Sequence, residues 1–161
     1  MKITYRKLRP EEYGLLKDFT YEAIFIPEGM EKPNRRILEL PELSIYYDSF
    51  GNGRADYCIA AEDKGKVIGA VWTRLMNDYG HVDEETPSLA ISLLEEYRGE
   101  GIGTTLMKKM LKLLKEKGYP AVSLSVQKAN YACRMYEALG FQNYAENADE
   151  RIMICLLNRQ E

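Results

Sequence analysis

The stretch "EEYRGEGIGTTLMKKM", Glu95 to Met110, decides how the chain reads. Three glycines fall on alternate positions, Gly99, Gly101 and Gly103, behind Arg98, and a helical pattern follows. Ile102, Leu106, Met107, Met110, Leu111, Leu113 and Leu114 fall on one half of that helix. Thr104, Thr105, Lys108, Lys109, Lys112, Lys115 and Glu116 fill the other. The apolar half must therefore pack on a sheet. The helix N-terminus offers unbonded backbone N–H groups and the positive end of the dipole. Glycines let an anion come close to that backbone, and Arg98 adds a fork of charged donors. The segment reads as an anion site, with phosphate the natural occupant. The plainer alternative is a tight strand-to-helix turn with a surface arginine.

Two nucleotide motifs fail here. A Walker loop needs G-x-x-x-x-G-K followed by Ser or Thr, and no such string occurs. A dinucleotide fingerprint needs G-x-G-x-x-G after the first strand of a parallel sheet. From Gly101 its last position falls on Leu106, and from Gly99 on Thr104.

Working outward, "SLAISLL" before the loop alternates as a strand, with Leu89, Ile91 and Leu93 on one face and Ser88, Ala90 and Ser92 on the other. Gly118 reads as the helix C-cap, with Pro120 just beyond. "AVSLSV" is a further strand and "NYACRMYEALG" a short helix ending at Gly140. "FQNY" and "RIMICLL" are the last strands, turning at "AENADE". Upstream, "DYCIAAEDKGKVIGAVWTRLM" reads as a hairpin about "EDKG". "KITYRKL" is a first strand, followed by a helix through "RPEEYGLLKDFTYEAIF" whose apolar face includes Phe19, Ala23 and Ile24. The segment 26–55 is a loop with short helical signals. The order β-α-(α)-β-β-β-α-β-α-β-β combines a right-handed crossover with antiparallel pairing. It predicts an α/β (α+β) fold with a mixed sheet and helices on both faces.

Bulk composition narrows the function classes. The 161 residues are 45% apolar and carry 25 acids against 22 bases. A net acidic chain argues against a general nucleic-acid binder. The absence of a bilayer-length apolar run or a signal layout gives the expectation of a cytoplasmic protein with no membrane partner. Cys58, Cys133 and Cys155 are scattered and form no ligand cluster with His81, the single histidine, so no metal is expected.

The string R-x-x-G-x-G, Arg98 to Gly103, after a strand and opening a helix, resembles the acetyl-CoA loop of the GNAT superfamily of N-acetyltransferases. "NYACRMYEALGF" resembles that family's N-x-A-x-x-x-Y-E-x-x-G-F segment at the expected distance downstream. The resemblance covers about 88–141, the expected acetyl-CoA-binding core of a single domain spanning 1–161. It implies a mostly antiparallel sheet with one splayed parallel pair. It implies that Arg98, Gly99, Glu100, Gly101, Ile102, Gly103 and Thr104 cradle the CoA pyrophosphate. Ile91, Ser92 and Leu93 would bond the pantetheine arm through their backbone, and Asn130 would contact the cofactor or order water. Tyr136 would protonate the departing thiolate. Glu95 and Glu100 depart from the family pattern, which often has Pro and a basic residue there.

For the chemistry, an attacking amine must be neutral, the oxyanion needs backbone donors, and the thiolate needs an acid. A strand bulge near Leu93 is the expected oxyanion donor. Tyr136 is read either as that acid or as a core tyrosine with a satisfied hydroxyl. By resemblance, a carboxylate thirteen positions before the loop arginine is a candidate base, which lands on Glu85. His81 is the other candidate, and a solvated acidic loop is the bland alternative for both. Cys133 has no histidine nearby in sequence, which favours direct transfer over an acetyl-cysteine. Asp78, Asp83, Glu84 and Glu85 lead to the expectation of a cationic amine acceptor, and "SIYYDSF" of aromatic walls around it. The reading is an acetyl-CoA-dependent N-acetyltransferase. The alternative is a non-catalytic acyl-CoA binding or sensing module of the same fold. A homodimer through an exposed edge is left open.

Overall fold

A computed structural model describes residues 2–157. Its strands are β1 (Ile3–Lys7), β2 (Tyr57–Asp63), β3 (Lys66–Arg74), β4 (Ser88–Leu93), β5 (Ala121–Gln127), β6 (Gln142–Glu146) and β7 (Glu150–Leu156). The helices are α1 (Leu15–Glu22), α2 (Pro41–Ser44), α3 (Ile102–Glu116) and α4 (Ala132–Ala138). All seven strands form one sheet in the order β1-β2-β3-β4-β5-β7-β6. Every neighbouring pair is antiparallel except β4–β5.

That parallel pair opens the site. β4 and β5 are in register only at Ser88↔Ser123, then diverge toward their C-terminal ends. On its other side β4 stays paired with β3 from Arg74↔Ser88 to Gly69↔Leu93, with no shift in register. The expected bulge near Leu93 is therefore not there, and splaying replaces it. The bond from Leu94 N–H to the Ile68 carbonyl sets the alternation along β4. Antiparallel pairing turns every second residue away from the partner strand. Ile91 and Leu93 thus point their backbone groups into the gap beside β5.

The two sheet faces are packed differently. Leu89, Val122, Leu124 and Val126 meet the buried side of α3 (Ile102, Leu106, Met107, Met110, Leu114) and Tyr136 of α4. Removing one of these large side chains would cost about 2–5 kcal/mol. The opposite face seats Leu16 and Phe19 of α1 on Ala60, Ala70 and Trp72. Small residues on that face leave room for the 75–87 segment to lie across it. Ser123 Oγ donates to the Gly80 carbonyl at 2.6 Å, and Ser88 Oγ to Asp78 Oδ1 at 2.7 Å.

The first helix is shorter than the sequence pattern suggests. Pro10–Glu12 is a separate 3-10 turn, Gly14 caps α1, and α1 ends at Glu22. Arg6 grips both oxygens of Glu12 at 2.8 and 2.9 Å and holds that turn in place. At the other end, Ile26 precedes Pro27, whose ring disfavours helical backbone. Ala23 and Ile24 therefore leave the helix. β6 also runs further than expected, to Glu146.

Candidate active site

Two cavities meet where β4 and β5 part. The larger, about 580 Å³, runs from Ile91, Ser92 and Leu93 past Arg98, Gly99, Gly101, Gly103 and Thr104 to Asn130 and Tyr136. The smaller, about 280 Å³, lies on the other side of the gap between Phe25, Tyr46, Trp72, Tyr79 and Glu150. Ile91, Asn130, Tyr136 and the 23–25 segment line both.

The glycine loop has the geometry an anion needs. Gly99 and Gly101 sit at φ +80° and +82°, where other residues are strained, and a Cβ on either would meet nothing within 4 Å. Gly101 is the N-cap of α3, so the first N–H groups of that helix face the larger cavity. Arg98 is exposed at the rim. Its Nε donates to the Leu93 carbonyl at 2.9 Å, and its Nη2 lies 3.5 Å from Glu22 Oε2. One guanidinium thus ties the loop to the end of β4 and the end of α1. Glu100 and Ile102 do not line the cavity: Glu100 is exposed and Ile102 is buried in the core. Asn130 accepts a bond from Ala132 N–H at 2.9 Å and so shapes the head of α4.

Tyr136 is 7% exposed and stands at the junction. Its hydroxyl has no hydrogen-bond partner among the described residues, so the satisfied core tyrosine is not what the fold holds. Burial, with a smaller contribution from Cys133, pushes its phenol up to about 12. The Cys133 thiol is buried and points to the Gln127 carbonyl at 3.7 Å.

Glu85 and His81 line neither cavity. Both precede the N-terminal end of β4, whereas the gap opens at its C-terminal half. The extended strand from Ser88 to Ile91 alone spans roughly 10 Å. The Glu85 side chain is 73% exposed, 3.8 Å from Arg54. His81 Nδ1 lies 3.1 Å from the Met76 carbonyl and Nε2 lies 3.9 Å from Glu84. The other acids of that segment are also absent from the walls. Asp78 is occupied by Tyr46 Oη and Ser88 Oγ, both at 2.7 Å. Asp83 accepts from Thr86 Oγ1 at 2.8 Å and from Glu85 N–H at 2.9 Å, bonds that hold its carboxyl below the usual range.

A family model described as "Acetyltransferase (GNAT) family" matches residues 21–141. The chain belongs to the GNAT acetyltransferase family. An N-alpha-acetyltransferase of Saccharolobus solfataricus is 32% identical over 136 residues, covering 72% of this chain and 80% of that protein. The mycothiol acetyltransferase of Thermomonospora curvata is 36% identical over 86 residues, 53% of this chain and 27% of that one. The chain spans 27–38% of the length of several curated relatives it matches. In structure, the paia N-acetyltransferase of Thermoplasma acidophilum, solved in complex with coenzyme A, superposes with a TM-score of 0.70 at 23% identity. That superposition covers 97% of this chain and 99% of that one.

The GNAT cofactor fits the residues present. Open space over Gly99 and Gly101, the exposed end of α3 and the edge of β4 turned to the gap suit a pyrophosphate followed by an amide-bearing arm. Among the described residues no cluster of His, Cys, Asp and Glu could hold a metal, and no helix is long and apolar enough to cross a membrane. Several lining residues have no signal in the motifs. Phe25 and Lys32 come from the loop after α1, Glu22 from its last turn, and Glu150 from the start of β7. The Pro27 break after Ile26 is the one local hint that this chain leaves the helix to wall a site.

Proposed function

We propose that this chain is an N-acetyltransferase that moves the acetyl group of acetyl-CoA directly onto a small cationic amine. The observation that carries the reading is the unpartnered hydroxyl of the largely buried Tyr136 at the meeting point of the two cavities. Acetyl-CoA supplies an activated thioester. The Arg98–Thr104 loop holds its pyrophosphate, and the backbone of Ile91 and Leu93 orients the pantetheine arm. A backbone N–H of the same β4 edge faces the carbonyl oxygen where negative charge develops.

The apolar walls of the smaller cavity lower the pKa of an ammonium that enters, because burial disfavours its charged form. The amine sheds one proton to solvent, its nitrogen bonds the acetyl carbon, the C–S bond breaks, and the acylated nitrogen gives its second proton to water. Tyr136, protonated at every working pH, donates its hydrogen bond and then its proton to the leaving sulfur, and recovers a proton from water. Glu85 and His81 act at most through intervening water in this scheme.

The test is incubation with acetyl-CoA and a panel of cationic and neutral amines, reading thiol release and acetylated product by mass. Product with cationic amines is expected. Binding of acetyl-CoA without product from any amine would identify a non-catalytic acyl-CoA module instead. Equal turnover of neutral and cationic amines would remove the charge preference alone.

A further inference from the structure

The acceptor cavity has a charge that the transfer chemistry leaves unused. Glu150 opens β7 beside Gln127, the last residue of β5. Its backbone is fixed in the β6–β7 turn: its N–H donates to Asn147 Oδ1 at 2.8 Å, and its carbonyl accepts from Asn147 N–H at 3.0 Å. The side chain is half-buried and is the sole charged group among the described residues that line this cavity. Its carboxylate has no hydrogen bond or ion pair among the described residues. The nearby cations are engaged elsewhere, Arg151 with Glu137 and Asn143, and Lys128 with Glu146. Tyr46, Trp72 and Tyr79 line the same cavity as Glu150.

A carboxylate in that position attracts a cation into an aromatic-walled cavity, where ring faces add to the attraction. The cation it holds is not the amine that reacts. An ion pair with a carboxylate favours the ammonium form, and an ammonium has no lone pair for attack. Tyr136 lines both cavities, whereas Glu150 lines only the acceptor side. We infer that the acceptor is a compact diamine-like molecule whose second, unreacting cationic centre is bound by Glu150 while its other nitrogen is acetylated beside Tyr136. This inference rests on the N-acetyltransferase reading above. The cavity's size, near the small end of ligand sites, excludes a bulky acceptor from full enclosure.

Cadaverine and n-pentylamine share one reactive amine and a five-carbon chain, and differ in the distal ammonium. Initial rates with each, for the wild type, Glu150→Gln and Glu150→Asp, test the inference. The wild type is expected to favour cadaverine by about tenfold in kcat/KM, mostly through KM, the value of one charge-assisted hydrogen bond. In Glu150→Gln that ratio should fall to about two, the statistical factor for two equivalent amines, and Glu150→Asp should keep part of the excess. Thermal protection by acetyl-CoA verifies that each variant is folded. A ratio of about two or less in the wild type, or an unchanged ratio in Glu150→Gln, overturns the second-cation site and leaves the N-acetyltransferase reading standing. Product from neither amine, with acetyl-CoA bound, overturns the diamine-like acceptor, and the amine panel above then decides the N-acetyltransferase reading.

Discussion

The two cavities share Tyr136 but are made from different kinds of sequence. The cofactor side takes its polar walls from one stretch, Ile91 to Thr104, and the head of α4, and is closed by the Tyr21–Ile26 segment with Lys32 and Pro33. Its properties are local: positive φ at two glycines, an open helix terminus, a strand edge. The acceptor side gathers Phe25, Leu43, Tyr46, Trp72, Tyr79, Ser125 and Glu150, which lie far apart in the chain. Its properties arise only from packing. A phosphate-binding site can be encoded in a short string, whereas a pocket that selects one amine depends on the whole fold.

The strongest blow to that contrast falls where the cavities join. Tyr136→Phe removes one oxygen and leaves both walls intact. It should lower kcat by about a hundredfold or more, in the range of lost general-acid catalysis. Acetyl-CoA binding by calorimetry should hardly change. A kcat within a few-fold of wild type would mean that Tyr136 only packs. The phenol's position near 12 makes a second statement. Its folded value lies above its ordinary 10, so the protonated form favours folding. That contribution is complete below about pH 10 and is lost as pH rises through about 12. Urea midpoints should therefore fall more steeply between about pH 10 and 12 in wild type than in Tyr136→Phe. The rate profile should show no falling limb from this group at neutral to mildly alkaline pH.

Arg98→Ala strikes one cavity only. It should raise the acetyl-CoA KM about tenfold, the worth of a charged hydrogen bond, and leave the acceptor KM nearly unchanged. Calorimetric titration with CoA gives the same answer without turnover. Part of the loss has a structural origin, because Arg98 also joins Leu93 to Glu22. Arg98→Lys separates the two: a lysine keeps the positive charge but not the planar fork. If both variants bind CoA like the wild type, the arginine is a clamp on β4 and α1 and nothing more.

This difference also explains what the sequence could reveal. The strand, loop and helix from Ser88 to Glu116 were legible because alternation and helical periodicity are set by which residues are buried. The splay of β4 from β5 came from the family resemblance alone, because the alternation in either strand is the same whether the two stay paired or part after Ser88↔Ser123. The end of α1 was misplaced by reading Ala23 and Ile24 as its face. Periodicity continued there while Pro27 was already pulling the backbone out of the helix. Glu150 left no trace, because one acid in "NADERIM" differs from its neighbours only by where β7 places it.

The smallest expected effect concerns the acids just before β4. Motif spacing nominated Glu85 as a base, with His81 beside it, and both line neither cavity. A group that removes the amine's proton must reach it within hydrogen-bond distance or through one water. Glu85 instead lies 3.8 Å from Arg54 in solvent, an exposed pair worth at most about 1 kcal/mol. Glu85→Gln and His81→Gln, alone or together, should change kcat/KM by no more than about twofold, and the acid limb of the pH profile should stay in place. A tenfold loss with a displaced limb would show proton transfer over a longer water path than the cavities suggest. The 76–87 segment would then be part of the catalytic apparatus, and the acceptor site would owe more to a local motif than its scattered walls imply.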